Sequence, residues 1–147
     1  MFSIRPIRMS DVDACCRIVR DNWGRPESER FAQQVSLVWA DIEYTPIYYI
    51  ADNEGGEVVG FAGMMQSYIM YGVWDFIWIN VKKEFQKEGV GKRLVEYRLA
   101  EIKRCDGRAV HLMTQSPDYF SKFGFSIAQH YGPWKLMTLW LGPLELS

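Results

Sequence analysis

The sequence predicts an α/β (α+β) fold with a mixed sheet, and three observations predict it. Runs with strand character alternate along the chain with runs that repeat every three to four residues, the helical period. The stretch from Trp74 to Met113 reads as strand, helix, strand, which implies a right-handed crossover between parallel neighbours. Asn53-Glu54-Gly55-Gly56 between two apolar runs is a hairpin turn and implies antiparallel pairing. With 147 residues the chain fits a single domain, 1–147, long enough to bury a core.

Taken in order, Phe2 to Arg8 alternates as an edge strand, where Pro6 is tolerated because an edge position need not donate to a ladder. Ser10, with Asp13 three residues on, reads as a helix N-cap before Val12, Cys15, Cys16, Ile18 and Val19. That helix is expected to end near Asn22-Trp23-Gly24. A second helix follows Pro26, with Phe31, Val35, Val38 and Ile42 on one face and Thr45-Pro46 as its stop. Ile47 to Ala51 and Val58 to Met65 form the hairpin, and Gln66 to Gly72 is a loop. Trp74 to Val81 is a central strand, apolar on both faces as a buried strand should be. The helix after Gly91 turns Leu94, Val95, Leu99 and Ile102 inward, with Arg98 inside that stripe, and Gly107 is its left-handed stop. Ala109 to Met113 is the next strand, Pro117 to Phe123 a short helix ended by Gly124, and Phe125 to Ala128 and Trp134 to Leu141 complete the sheet.

Composition narrows the function. A net charge of −1 gives no reason to expect nucleic acid or an anionic membrane as partner, because either rewards a basic face. No run approaches the roughly 20 apolar residues of a membrane span, and no basic-then-apolar leader opens the sequence. Three cysteines without C-x-x-C spacing and two histidines argue against a metal site or a disulfide framework. A soluble protein in a reducing cytoplasm is expected.

The stretch with chemistry is Gln86-Lys87-Glu88-Gly89-Val90-Gly91-Lys92, between the central strand and the long helix. The first N–H groups of a helix lack intrahelical acceptors and, with the helix dipole, favour an anion such as phosphate. Gly89 and Gly91 remove the Cβ atoms that would hold it off, and Lys87, Lys92 and Arg93 add positive charge. A dinucleotide fingerprint fails, because Leu94 stands where its third glycine belongs, and a P-loop fails at Gln86 and Arg93. A lone G-x-G is equally the start of an ordinary glycine-capped helix.

The order apolar strand, V-x-x-x-x-Q-x-x-G-x-G, helix, strand, short helix and Tyr119-Phe120-Ser121-Lys122-Phe123-Gly124-Phe125 resembles the GNAT superfamily of acetyl-CoA-dependent N-acetyltransferases. Gln86, Gly89 and Gly91 match its Q/R-x-x-G-x-G/A loop, and Phe120 to Phe125 its aromatic-x-K-x-G-F segment. Ile4-Arg5-Pro6-Ile7-Arg8 with Asp11 and Asp13 looks like its first strand and helix. The resemblance implies a mixed, mostly antiparallel sheet of six to seven strands with a splayed parallel central pair, flanked by about four helices. It implies acetyl-CoA as co-substrate and no metal. Backbone N–H groups from Lys87 to Lys92, through Glu88, Gly89, Val90 and Gly91, would hold the pyrophosphate, and Ile79, Asn80 and Val81 would pair with the pantetheine arm.

Transfer of acetyl to an amine by direct attack in a ternary complex requires the neutral amine, yet a lysine-like amine with a pKa of about 10.4 is protonated at neutral pH. Asp75, 11 residues before Gln86, stands where histone-type members carry a glutamate base, and Trp74, Phe76 and Trp78 would raise its pKa by desolvation. It would act through water, being a methylene shorter. The position of the family's tyrosine acid holds Phe120, which the resemblance places against the sulfur end of the coenzyme or in the core. Tyr119 is rotated by about 100° along a helix and points elsewhere. The missing tyrosine leaves an alternative, a non-catalytic acyl-CoA binding or sensing module.

His111 on the strand facing the acceptor side is an alternative base or a hydrogen-bonded structural residue, and His130 beside Tyr131-Gly132-Pro133 reads as a loop residue. Trp23, Trp39, Tyr44, Tyr68, Tyr71 and Trp134 would line an acceptor pocket or sit in the core. Asp41, Glu43 and Asp52 would attract a cationic amine or are solvated. The acceptor is a small-molecule or peptide amine, and a homodimer pairing through the aromatic C-terminal strand is conceivable.

Overall fold

The structure, a computed structural model, describes residues 1–142. Among them seven strands form one sheet in the order β1-β2-β3-β4-β5-β7-β6. The strands are β1 (Phe2–Pro6), β2 (Ile47–Asn53), β3 (Val58–Gln66), β4 (Val73–Val81), β5 (Ala109–Thr114), β6 (Ser126–Tyr131) and β7 (Trp134–Trp140). Four α-helices accompany them: α1 (Val12–Trp23), α2 (Arg25–Val35), α3 (Val90–Arg104) and α4 (Pro117–Ser121). β1–β2, β2–β3, β5–β7 and β6–β7 are antiparallel, and β4–β5 is the parallel pair that the strand–helix–strand stretch requires. The described residues fall into two compact units: Met1–Met65 with Ile77–Leu99, and Gln66–Phe76 with those from Ala100 on.

In the first unit, β1 is an edge strand and accommodates Pro6 opposite Tyr49. Ser10 does not cap α1. It lies in a 3-10 turn, Met9–Asp11, where the Asp11 carboxylate accepts the Arg8 N–H at 2.7 Å. Arg5 grips that carboxylate with both terminal nitrogens at 2.8 Å and turns its Nε to Asp52 at 2.8 Å, so one guanidinium ties β1, β2 and the start of α1 together. α1 buries Cys15, Ile18 and Val19 and ends at Gly24, whose φ of +98° is left-handed. α2 buries Phe31 and Val35 but stops there. The Ser36 hydroxyl donates to the Gln33 carbonyl at 2.6 Å, and Ser36–Trp39 tightens into a 3-10 turn, which leaves Ile42 exposed rather than on a helical stripe. The core of this unit joins these helices to Tyr48, Ile50 and Phe61 of β2 and β3. On the opposite face of β2, Tyr49 meets Tyr97 of α3 edge-on at 4.9 Å between ring centres.

β4 is half-buried along most of its length, not enclosed on both faces as its apolar run predicts. The first-unit part of β4 is also irregular. Trp78 has a φ of +46°, unusual for an aromatic side chain, and its indole N–H donates to Gln34 of α2 while its ring abuts Phe31 at 5.3 Å.

In the second unit, Val110, Leu112, Ile102 and Met137 are buried with an aromatic group in which Phe125 lies 5.9 Å from Phe76 and 6.0 Å from Phe120. The left-handed residue after α3 is Asp106, with φ +59°, not Gly107. Gly107 is required by contact. A Cβ there would stand 2.3 Å from Ile102 Cγ2 and 3.1 Å from Trp74 Cδ1. β6 and β7 form a hairpin around Gly132-Pro133, and His130 belongs to β6, opposite Lys135, not to the loop. β7 is paired on both sides, by β5 and β6, so it offers no open edge for a dimer partner. Of the cysteines, Cys15 is buried, Cys16 half-buried and Cys105 exposed. No helix among the described residues is long and apolar enough to cross a membrane.

Candidate active site

In the first unit the chain leaves β4 through a 3-10 turn, Lys83–Phe85, and enters α3 through residues 86–89. The Gln86 side chain folds back and donates to the Val81 carbonyl at 3.0 Å, which fixes the turn against the end of the strand. Lys87 and Gly89 both have positive φ, +68° and +88°. Arg93 N–H to Gly89 O, at 3.1 Å, is the first helical bond, so the N–H groups of Gly89, Val90, Gly91 and Lys92 have no intrahelical acceptor. Val90 is buried and anchors the turn, while Lys87, Glu88, Gly89 and Lys92 face solvent. A Cβ built on Gly89 meets nothing within 4 Å, so the space above this turn is open. An open cleft of about 510 Å³ borders it, lined in part by Phe2, Asn53, Phe85, Lys92 and Arg93. Arg93 itself is engaged, donating to the Phe2 carbonyl at 3.0 Å with its guanidinium over the Phe2 ring.

The end of β4 is held from α1. Asn80 is buried, and its Oδ1 accepts from Asn22 Nδ2 at 3.1 Å and from Trp23 Nε1 at 2.9 Å. Asn22 Nδ2 also donates to the Val81 carbonyl at 3.0 Å. Lys82 N–H bonds the Val59 carbonyl of β3 at 2.8 Å, and strand alternation therefore turns the backbone groups of Ile79 and Val81 away from β3.

In the second unit, Asp75 is half-buried and stands beside His111 in the parallel register. Desolvation pushes its carboxyl above the ordinary value, and the charge of His111 pulls part of the way back. Phe120 is buried in the aromatic group, with the Tyr119 ring edge-on to it at 5.0 Å and to Phe123 at 5.5 Å.

Of the aromatic residues assigned to a pocket or the core, Trp23, Trp39, Tyr68, Tyr71 and Trp134 are exposed, so core packing does not explain them. Asp41 and Glu43 are exposed, and Asp52 is paired with Arg5. No group of three or more metal-ligating side chains occurs among the described residues.

The acetyltransferase (GNAT) domain family matches residues 45–127, which include β2 to β5, the turn at 86–89 and α4. The chain belongs to the GNAT acetyltransferase family. A comparison with curated proteins finds no significant match. Solved structures share the fold over nearly the whole chain. A GNAT-family protein from Desulfovibrio desulfuricans is 18% identical, with a TM-score of 0.82 over 95% of this chain and 99% of its own. The PaiA N-acetyltransferase from Thermoplasma acidophilum, in complex with coenzyme A, is 14% identical, with a TM-score of 0.76 over 96% and 99%. The ribosomal-protein-S18-alanine N-acetyltransferase from Escherichia coli is 16% identical, with a TM-score of 0.77 over 100% and 99%.

This GNAT chain is thus an acetyltransferase with a mixed, mostly antiparallel seven-stranded sheet and one parallel pair. Sequence reasoning did not find the roles of Asn22 and Trp23, which grip Asn80 across 58 and 57 positions of chain. Their only local signal is a place at the end of a helix.

Proposed function

We propose that this acetyltransferase takes acetyl-CoA as acyl donor and moves the acetyl group to a primary amine of a small molecule or peptide, by direct attack in a ternary complex and within one domain. The observation that carries this reading is the turn at residues 86–89, where helix-start N–H groups lack intrahelical acceptors and the space beside Gly89 is open. The backbone of Lys87, Glu88, Gly89, Val90, Gly91 and Lys92 would hold the pyrophosphate, with Gln86 bracing the turn. Ile79 and Val81 are the members of the 79–81 segment turned away from β3. The Val81 carbonyl is taken by Gln86 and Asn22, so the backbone groups of Ile79 and the N–H of Val81 would meet the amides of pantetheine. Asn80 would serve by fixing that segment, and Phe120 as a wall near the thioester.

Asp75 would take one proton from the acceptor ammonium, directly or through water. The neutral nitrogen then attacks the thioester carbon, the C–S bond breaks, and coenzyme A departs as a thiolate that is protonated from the collapsing ammonium or from solvent. The three unpaired thiols accord with a reducing compartment such as the cytoplasm. A calorimetric titration with acetyl-CoA tests the donor. Saturable heat is expected, and its absence would refute the reading. A screen of primary amines scored by release of free thiol then identifies the acceptor class.

A further inference from the structure

The strand register sets four polar side chains in one row across the second unit. Asp75 of β4 is opposite His111 of β5, His111 is opposite Thr138 of β7, and Thr138 is opposite Ser126 of β6. Register partners share a face of the sheet, and neighbouring strands lie roughly 4.8 Å apart. The row meets solvent at its β6 end. Asp75, His111 and Thr138 are half-buried, and Ser126, on the edge strand, is exposed. On β4, β5 and β7 the flanking positions on that face are apolar: Val73, Ala109 and Trp140 on one side, Met113 and Leu136 on the other, while on β6 the partner of Leu136 is Gln129. A polar stripe thus runs between apolar positions across β4, β5 and β7 and reaches the rim at β6, where Gln129 adds to it. Asp75 is the ionisable group that the register puts beside His111, and Thr138 faces it from β7.

We infer that His111 is the positioning partner of Asp75 and the first carrier of the proton that Asp75 removes, with Thr138 and Ser126 continuing the path to solvent. This rests on the reading of Asp75 as the base. A carboxyl among Trp74 and Phe76 that has accepted a proton must lose it before the next turnover. Imidazole can receive that proton on one ring nitrogen while the other gives its own to water, and two hydroxyls can hold such a water. The balance closes. An ammonium and acetyl-CoA give an amide, coenzyme A as free thiol, and one proton, and that proton leaves along the row.

Two measurements test the inference. The first needs no acceptor: the Asp75 carboxyl is titrated by carbonyl-13C NMR in the wild type and in His111→Gln. Its midpoint is expected to rise when the imidazole beside it is removed, and an unmoved or lower midpoint would refute the pairing. The second follows thiol release with a primary amine found in the screen. His111→Gln should lower kcat by about tenfold or more with KM for acetyl-CoA unchanged, and free imidazole in the buffer should restore the rate. Full turnover in His111→Gln, or a loss that imidazole does not restore, overturns the proton path. Asp75→Asn separates the two ideas. If it turns over like wild type, the base assignment fails and the path with it. If it is inactive while His111→Gln is unaffected, the path alone fails.

Discussion

The guanidinium of Arg98 donates to the Gly63 carbonyl at 2.7 Å and to the Leu94 carbonyl at 3.1 Å, joining α3 to β3 inside the first unit. It is the largest of the fully buried side chains. An arginine inside an apolar stripe is costly unless its donors are met, and this one meets carbonyls in two directions at once. Arg98→Met should therefore destabilise by about 3 kcal/mol, because the Gly63 carbonyl loses a charged donor in a dry setting. Arg98→Lys should recover only part of that. Urea unfolding curves with an unchanged m-value would register the difference.

Gly107 illustrates necessity by contact. Adding one methyl would press on Ile102 at 2.3 Å and on its carbonyl at 2.9 Å, with Trp74 behind. Gly107→Ala is expected to cost about 3 kcal/mol by overpacking, read as a lowered Tm. A variant as stable as wild type would mean that the last turn of α3 shifts freely.

Arg5 and Asp11 give a pH-dependent contribution. The Arg5 fork, then the Arg8 N–H, hold the Asp11 carboxyl below its ordinary value of 3.8. A depressed carboxyl stabilises the fold above the unfolded value, and that stabilisation is lost as pH falls through the folded one. Asp11→Asn should thus lower stability by about 2 kcal/mol at neutral pH, and the gap to wild type should close in acid. Denaturation at several pH values between neutral and below 3.8 checks it.

Asp75 has the opposite sign. Burial raises its carboxyl above 3.8, so the folded state holds this proton more tightly than the unfolded chain does. The stabilisation is full below 3.8 and is lost as pH rises through the folded value. Asp75→Asn, which cannot ionise, should therefore raise Tm at neutral pH and leave it nearly unchanged in acid. A drop in Tm at pH 7 would show that the carboxylate is held by a partner stronger than His111.

Gly89→Glu separates folding from ligand binding. The new side chain meets no protein atom within 4 Å of its Cβ, and the cost of a positive φ is about 1 kcal/mol, so the fold should survive. Bulk and negative charge would then occupy the place assigned to a pyrophosphate. Affinity for acetyl-CoA should fall by about a hundredfold or more, a loss of roughly 3 kcal/mol. Unaltered affinity would move the phosphate site elsewhere.

The sequence was legible where neighbours in the chain decide the outcome. The hairpin at Asn53, the crossover from β4 to β5 and the helix start at Val90 follow from turn residues and hydrophobic period. It was illegible where distant groups decide. Ser36 could have continued α2, yet its hydroxyl takes the Gln33 carbonyl and the helix tightens. Gly107 looked like a left-handed stop, but Asp106 turns the chain and Gly107 yields room to Ile102 and Trp74. Arg98 made no sense within a helical stripe until Gly63, 35 residues away, supplied its acceptor. Asp75 and His111 became neighbours only through the parallel register, which no local spacing encodes.

The placement of the three thiols turns the fold into its own stopwatch. Cys105 faces solvent, whereas Cys15 is buried, Cys16 is half-buried, and desolvation pushes both of their thiols upward, away from the reactive thiolate. A maleimide dye should mark the native chain once, near the end of α3. Further labels should be added only as the helix carrying the other two comes loose, so the mass of the labelled chain counts opening events one molecule at a time.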